Sequence, residues 1–176
     1  TEDKTDHPIA LYGATKKSNE LMANAYSHLY RLHTTGLRFF TVYGPWGRPD
    51  MAMFIFTKRI LENKPIPVYN FGNMKRDFTF IDDITAGTRS AIENNFQCEI
   101  FNLGNHKSEN LMDMIRIIEE CVGKKAKIDF QPIQPGDVPE SFADIKKSIE
   151  MLKFKPITNM KEGIPKFIDW YKSYYK

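Results

Sequence analysis

Tyr12 and Lys16 are a pair whose residue types and spacing could move a proton. Four residues apart on a helix, two side chains share one face, a single turn from each other. A phenol ordinarily gives up its proton at about pH 10, and an ammonium group held close favours the phenolate, so the pair could make Tyr12 a proton acceptor near neutral pH. The same spacing also arises by chance on solvated helices, where such a pair contributes only about a few tenths of a kcal/mol. The elements around it decide between the two readings.

Those elements alternate. Over residues 11 to about 32, Leu11, Ala14, Leu21, Met22, Ala25, Tyr26 and Leu29 recur at three- and four-residue spacing, which predicts a long amphipathic helix closed by Thr34-Thr35-Gly36. Residues 37–42 are apolar, aromatic and β-branched, suited to one buried strand of a parallel sheet. Tyr43-Gly-Pro-Trp-Gly-Arg-Pro-Asp50 must be a structured loop. A helix is expected over 51–63, a short strand over 66–69 with its prolines at an edge, a turn over 70–73 and a strand over 76–81. Asp82 and Asp83 are N-cap candidates for a helix reaching about Glu93. A strand at 99–103 and a helix at 111–122 stopped by Gly123 follow. The last third holds 128–130, the loop Gln134-Pro-Gly-Asp-Val-Pro139, a helix near 145–152, and a final helix from near Asn159 carrying Phe167, Ile168, Trp170 and Tyr171. Tyr174 and Tyr175 read as helix-end packing. This is the α/β pattern.

Composition removes several function classes. With 25 basic and 22 acidic residues the net charge is +3, too balanced for nucleic-acid binding by phosphate neutralisation. The densest basic stretch, Lys124, Lys125 and Lys127, lacks interleaved aromatics and reads as a solvated turn. The four histidines are scattered, and Cys98 and Cys121 lack metal or redox spacing, so no metal site is expected and the cysteines read as apolar filler in a reducing, cytoplasmic setting. No apolar run approaches the roughly 18 residues of a membrane span, and the polar opening of Thr1 to Pro8 has no targeting signature.

The stretch Tyr12-Gly-Ala-Thr-Lys-Lys-Ser-Asn-Glu20 resembles the catalytic helix of the extended short-chain dehydrogenases/reductases, the NAD-dependent epimerase/dehydratase family. Leu37-Arg-Phe-Phe-Thr-Val-Tyr-Gly-Pro45, Arg76-Asp-Phe-Thr-Phe-Ile-Asp-Asp83, Phe101-Asn-Leu-Gly104, Gln134-Pro-Gly-Asp-Val-Pro139 and Ala143-Asp144 follow in that family's order. Gly47-Arg-Pro-Asp-Met-Ala52, Glu162-Gly-Ile164 and Trp170-Tyr171 resemble its UDP-glucuronate 4-epimerases of capsule and cell-wall polysaccharide synthesis. The fold so implied is α/β: the C-terminal part of an NAD-binding Rossmann-like parallel sheet, with a smaller α/β substrate-binding domain. Residues 1–64 would end the Rossmann-like domain, interleaved with the substrate domain. Residues 65–176 would mainly form the UDP-sugar domain, with the 99–104 strand returning to the Rossmann sheet.

The resemblance also implies roles. Tyr12 would take the proton of the sugar 4-hydroxyl while NAD removes hydride from the same carbon. Lys16 would bind the nicotinamide ribose, and Phe40 would lie along the nicotinamide or else serve as a core residue of its strand. Arg76 would grip the diphosphate with its planar fork. Arg38 competes for that part, or forms a structural ion pair. Val68 and Tyr69, with Asn70, could present backbone groups to uracil, and Gln134 and Asp137 could reach phosphate and ribose. Many related epimerases carry Arg where Gln134 stands. For the substrate carboxylate, Thr41 offers a hydroxyl and Arg48 a charge, although a β-branched strand residue and a loop-stabilising hydrogen bonder are the competing readings.

The Gly-rich dinucleotide turn is missing, since none of the ten glycines forms GxGxxG after a strand. Its ribose-binding acid and the Ser/Thr that precedes the family tyrosine are missing too. The expectation is therefore the C-terminal half of a longer enzyme, inactive by itself, with a homodimer formed through the Tyr12 helix. Competing readings are a UDP-glucose or UDP-N-acetylglucosamine 4-epimerase, a UDP-glucuronate decarboxylase, or a catalytically inactive UDP-sugar-binding fragment.

Overall fold

The computed structural model describes residues 6–175; the beginning of the polar opening stretch and Lys176 lie outside the described residues. Helices α1 (Leu11–Tyr30), α2 (Ala52–Leu61), α3 (Ile81–Asn94), α4 (Leu111–Val122), α5 (Lys146–Leu152) and α6 (Met160–Tyr174) alternate with strands β1 (Thr34–Phe39), β2 (Thr41–Tyr43), β3 (Pro65–Val68), β4 (Lys75–Arg76), β5 (Phe78–Phe80), β6 (Cys98–Leu103), β7 (Glu109–Asn110) and β8 (Lys127–Phe130). Three strand pairs are parallel, β1 with β6, β2 with β5 and β3 with β8, while β4 and β7 run antiparallel.

The expected strand over 37–42 is two strands, because the chain changes partner at Phe40. Its N–H donates to the Leu103 carbonyl at 3.2 Å, whereas the next N–H, of Thr41, donates to Asp77 at 3.0 Å. The strand expected over 76–81 is likewise divided, at Asp77, and residue 81 already belongs to α3. Thr34-Thr35-Gly36 does not close α1. Arg31 does, in the left-handed conformation, and Thr34 opens β1. Nor do Asp82 and Asp83 cap α3: Phe80 stands at the N-cap without a side-chain bond, and Asp83 turns its carboxylate to the N–H groups of Ile157 and Thr158.

Two apolar clusters hold the chain together. The larger joins β2, β3 and β5 to α2, α4 and α6 around Phe80, Met114, Ile118, Ile164 and Phe167. Helix α4 supplies Leu111, Met114, Ile115 and Ile118 at helical spacing and ends on Gly123 in the left-handed conformation that glycine adopts without penalty. Helix α6 starts on Asn159, whose side chain accepts from the Glu162 N–H at 3.1 Å. The smaller cluster joins β1 and β6 to α3 and α5 around Phe101, Leu103, Ile145 and Phe154. Helix α1 contributes little to either: among the described residues its one buried side chain is Ser27, while Leu21, Met22, Tyr26, Leu29 and Tyr30 are exposed. Those last three are thus not internal core of this chain.

Candidate active site

The first two turns of α1 present Tyr12 and Lys16 to solvent on one face, with the Lys16 Nζ 5.2 Å from the centre of the Tyr12 ring. Tyr12 is 72% exposed. A Cβ added to Gly136 would lie 3.5 Å from the Ala10 Cβ, so the 134–137 turn abuts the entry to α1. Arg48 is exposed on the loop that follows β2. Its guanidinium is held above its ordinary range by hydrogen bonding to Asp50 and, more weakly, by the Tyr12 side chain.

Phe40 is half-buried against the smaller core cluster, and Thr41, also half-buried, opens β2. The loop beyond them is shaped by glycine and by rings. Gly44 has φ 143°, and a Cβ there would meet the Ile81 side chain at 2.4 Å. Trp46 takes a left-handed φ of 64°, and Gly47 donates to the Gly44 carbonyl at 3.1 Å. Arg48 Nε then donates to Asp50 at 3.1 Å, which holds the Asp50 carboxyl below its usual range.

Arg76 and Asp137, 61 residues apart, meet in an ion pair of 2.7 Å. Arg76 is mostly buried, and its second terminal nitrogen donates to the Lys75 carbonyl at 2.8 Å. The turn bearing Asp137 has Pro135 followed by Gly136 at φ 81°, closed by the Asp137 N–H on the Gln134 carbonyl at 3.1 Å, as a type II turn requires. Gln134 itself is exposed. Val68 is fully buried and its carbonyl accepts from the Gln131 N–H, while the Asn70 carbonyl accepts from the Asn73 N–H, so two carbonyls of the 68–70 edge are already engaged; Tyr69 is half-buried in the helical turn that follows. Arg38 takes the structural option: it grips Glu20 with Nε at 2.6 Å and a terminal nitrogen at 2.8 Å. That grip is the main reason the Glu20 carboxyl is held below its ordinary range.

Sequence reasoning missed Asp77. Fully buried, its carboxylate accepts from the N–H groups of Asn105 at 2.6 Å, His106 at 3.0 Å and Ala143 at 3.0 Å, and from the Thr79 hydroxyl at 2.9 Å. Its backbone carbonyl takes the Thr41 N–H. One residue thus ties the base of Arg76 to β2, to the end of β6 and to the segment after the 134–139 loop. The available signal was a carboxylate at the start of the buried Phe78-Thr-Phe80 run, which needs donors to be tolerated if it is buried too.

A groove of about 410 Å³, lined by Glu109, Asp113, Arg116, Glu120 and Lys161 among others, lies between α4 and the start of α6. It includes none of the predicted site residues. Among the described residues no three His, Cys, Asp or Glu side chains cluster as metal ligands would, and no helix is long and apolar enough to cross a membrane.

Comparison with known proteins fits this geometry into a family. Residues 1–104 match the model of the NAD dependent epimerase/dehydratase family. The chain belongs to that family. Among its relatives, Protein CapI of Staphylococcus aureus is 47% identical, with 100% of this chain and 58% of CapI covered. UDP-glucuronate 4-epimerase 4 of Arabidopsis thaliana is 45% identical, with 99% of this chain and 44% of that protein covered. The crystal structure of UDP-glucuronic acid 4-epimerase from Bacillus cereus, in complex with UDP-glucuronic acid and NAD, superposes with a TM-score of 0.90 at 35% identity. It covers 96% of this chain and 55% of the epimerase. The chain therefore spans about half the length of the family members it matches.

Proposed function

We propose that this chain is the catalytic-helix and substrate-binding part of an NAD-dependent UDP-glucuronate 4-epimerase, which interconverts UDP-glucuronate and UDP-galacturonate through a 4-keto sugar for capsule or cell-wall polysaccharide synthesis. The observation that carries the reading is the convergence at the start of α1. The Tyr12 and Lys16 side chains stand together there, and the turn leading to Asp137 lies beside Ala10. The turn that carries Asp137, the ion-pair partner of Arg76, thus lies beside the entry to the Tyr12 helix, which supports a shared site. The family members that bind or act on UDP-glucuronate support the choice of sugar. A UDP-glucose or UDP-N-acetylglucosamine epimerase would give Arg48 no carboxylate to meet.

In this reading Tyr12 accepts the proton of the 4-hydroxyl and later returns it. Lys16 holds the nicotinamide ribose, and the open face of Phe40 lies along the nicotinamide. Bound NAD supplies hydride removal at C4 and its return to the opposite face of the turned keto sugar. The exposed Tyr12/Lys16 face suits the nicotinamide end of the cofactor, whereas these residues contain no glycine turn for its pyrophosphate. Arg76 grips the diphosphate of UDP, Asp137 leaves that ion pair for the uridine ribose, Gln134 contacts phosphate, and the backbone at Val68 and Tyr69 meets uracil. Thr41 and Arg48 hold the carboxylate. The keto intermediate is a β-keto acid, so fixing that group away from the alignment for CO2 loss separates epimerisation from decarboxylation.

The division at residue 64, with β6 in the Rossmann-like sheet, belongs to the same reading, as does a cytoplasmic location. So does a homodimer through α1, which the exposed Leu21, Tyr26, Leu29 and Tyr30 support. The test is to incubate the full-length protein with NAD and UDP-glucuronate and follow UDP-galacturonate by chromatography. Tyr12→Phe should abolish turnover while leaving NAD bound. A wild-type protein without turnover refutes the epimerase reading, and a Tyr12→Phe variant within about tenfold of wild type refutes the proton-acceptor role.

A further inference from the structure

The loop that carries Arg48 is laid along one side of α6 and fastened there at three successive points. Ahead of the loop, the Tyr43 hydroxyl donates to the Asn159 carbonyl at 3.3 Å, and its ring end lies so close to Gly163 that a Cβ there would meet the hydroxyl oxygen at 2.3 Å. Within the loop, the Trp46 ring centre is 5.4 Å from that of Trp170 and 5.1 Å from that of Tyr174. Beyond it, Phe54 of α2 meets Tyr171 at 5.1 Å and Tyr175 at 5.5 Å. Positions 163, 167, 170, 171, 174 and 175 recur at the three- and four-residue spacing that puts them along one side of a helix.

Trp46 is the point that needs explaining. It is 73% exposed and adopts a left-handed backbone conformation that a bulky side chain rarely takes. A residue needed only for the turn would be glycine, as at Gly44. The ring is therefore what the position requires, and its contacts are the edge-on and tilted aromatic arrangements that add attraction beyond burial. Trp170 and Tyr174 are themselves stacked at 5.6 Å, so the surface Trp46 rests on is already assembled.

We propose that the aromatic side of α6 sets the position of the 44–50 loop, and that Trp46 is a positioning residue that holds Arg48 where the substrate carboxylate arrives. This rests on the epimerase reading given above for the identity of the carboxylate. UDP itself is gripped elsewhere, at Arg76 and Asp137, so disturbing Trp46 separates the two halves of the substrate.

The experiment uses the full-length protein with Trp46→Ala, Trp46→Gly, Trp46→Phe and Tyr174→Ala. Trp46→Ala should raise KM for UDP-glucuronate about tenfold, with kcat within about twofold and the Kd of UDP alone unchanged. Trp46→Gly relieves the backbone but removes the ring, and should behave like Trp46→Ala. Trp46→Phe should restore most of the loss. Tyr174→Ala, outside the loop, should speed amide hydrogen exchange across residues 44–50, and melting temperatures show that each variant is folded. A KM within about twofold of wild type in Trp46→Ala, a Trp46→Gly variant as good as wild type, or UDP affinity falling in step with KM overturns the proposal. If wild-type protein does not turn over UDP-glucuronate, the epimerase reading falls and the exchange result alone decides: unchanged exchange over 44–50 in Tyr174→Ala overturns the positioning role.

Discussion

Asp77→Asn is the smallest change that should disturb the largest part of the substrate side. Asp77 Oδ1 accepts from the Asn105 N–H and the Thr79 hydroxyl, and Oδ2 accepts from the N–H groups of His106 and Ala143. An asparagine amide keeps one oxygen. Placed to satisfy Asn105 and Thr79, it points its NH2 at two backbone N–H donors, and the reverse orientation strands Asn105. The Thr79 hydroxyl can turn, but the backbone donors cannot. A buried donor left without an acceptor costs about 1–3 kcal/mol, so the His106 and Ala143 groups together amount to about 2–6 kcal/mol. That is a large share of the roughly 5–15 kcal/mol by which a domain is stable. At about 2–4 °C per kcal/mol for a domain of this size, melting should fall by roughly 5–20 °C. Urea unfolding of the full-length protein, followed by circular dichroism, gives the free energy directly. Because Arg76 precedes Asp77 in the chain, UDP affinity should fall as well. A stability loss below about 1 kcal/mol would refute the reasoning, since it would mean that the two donors find other acceptors and that the carboxylate is not what holds the three segments together.

Arg76→Ala should weaken UDP binding by about 1.5–3 kcal/mol, roughly tenfold to a hundredfold in Kd, and Arg76→Lys should fall between, since a point charge lacks the planar fork. Unchanged affinity by calorimetry would leave Arg76 as the structural partner of Asp137. Glu20 carries a pH dependence: the Arg38 hydrogen bonds, with Lys17 adding to them, hold its carboxyl below the ordinary range. A depressed folded-state value means that the pair's stabilisation is present above the unfolded value of about pH 4.3 and disappears as pH falls through the folded one. The stability gap between wild type and Glu20→Gln should therefore be about 1–3 kcal/mol at neutral pH and close progressively in acid. A gap of constant size in urea titrations from about pH 7 down to about pH 3 would show that the ionised form is not what matters.

How much was legible in the sequence depended on how far apart the contacting residues are. Helix α4 is legible because Leu111, Met114, Ile115 and Ile118 repeat locally and Gly123 ends the pattern. Tyr12 and Lys16 are legible for the same reason, since one helical turn fixes their relation. The division of the 34–43 stretch at Phe40 is not, because an apolar run looks the same whichever strand its N–H groups bond to. The partners of Arg38 and Arg76 could not be read from the sequence: each guanidinium meets a carboxylate far along the chain, 18 positions away in one case and 61 in the other. Asp77 was hidden inside a strand-like alternation, its donors coming from residues 105, 106 and 143. Asp83 looked like a cap because acids favour helix starts, but the helix had already begun at Ile81, which freed its carboxylate to cap the chain entering α6.

The loop and the last helix show why recognisable stretches of sequence can be more informative than their local chemistry. Gly47-Arg-Pro-Asp-Met-Ala52 and the Glu162-Gly-Ile164 and Trp170-Tyr171 stretches were separate points of resemblance, more than a hundred residues apart and without an obvious joint task. In the structure Tyr43 and Trp46, just ahead of the first stretch, pack on the other two. Gly163 is small because the Tyr43 ring occupies the space of its Cβ, and Trp170 lies beneath the ring of Trp46, two residues before Arg48. Burial pushes the Tyr43 phenol upward, with the Asp83, Glu109 and Glu162 carboxylates adding to it, so this hydroxyl stays protonated and serves as a fixed donor to Asn159. Thr41 and Arg48 stand seven residues apart, on a strand and on an irregular loop, and no local rule sets the distance between them. Helix α6 fastens the chain at two points within that interval, through Tyr43 and through Trp46. In the proposed reading, residues with no polar role toward the substrate share the pattern of those that have one, because their packing fixes the loop that carries Arg48.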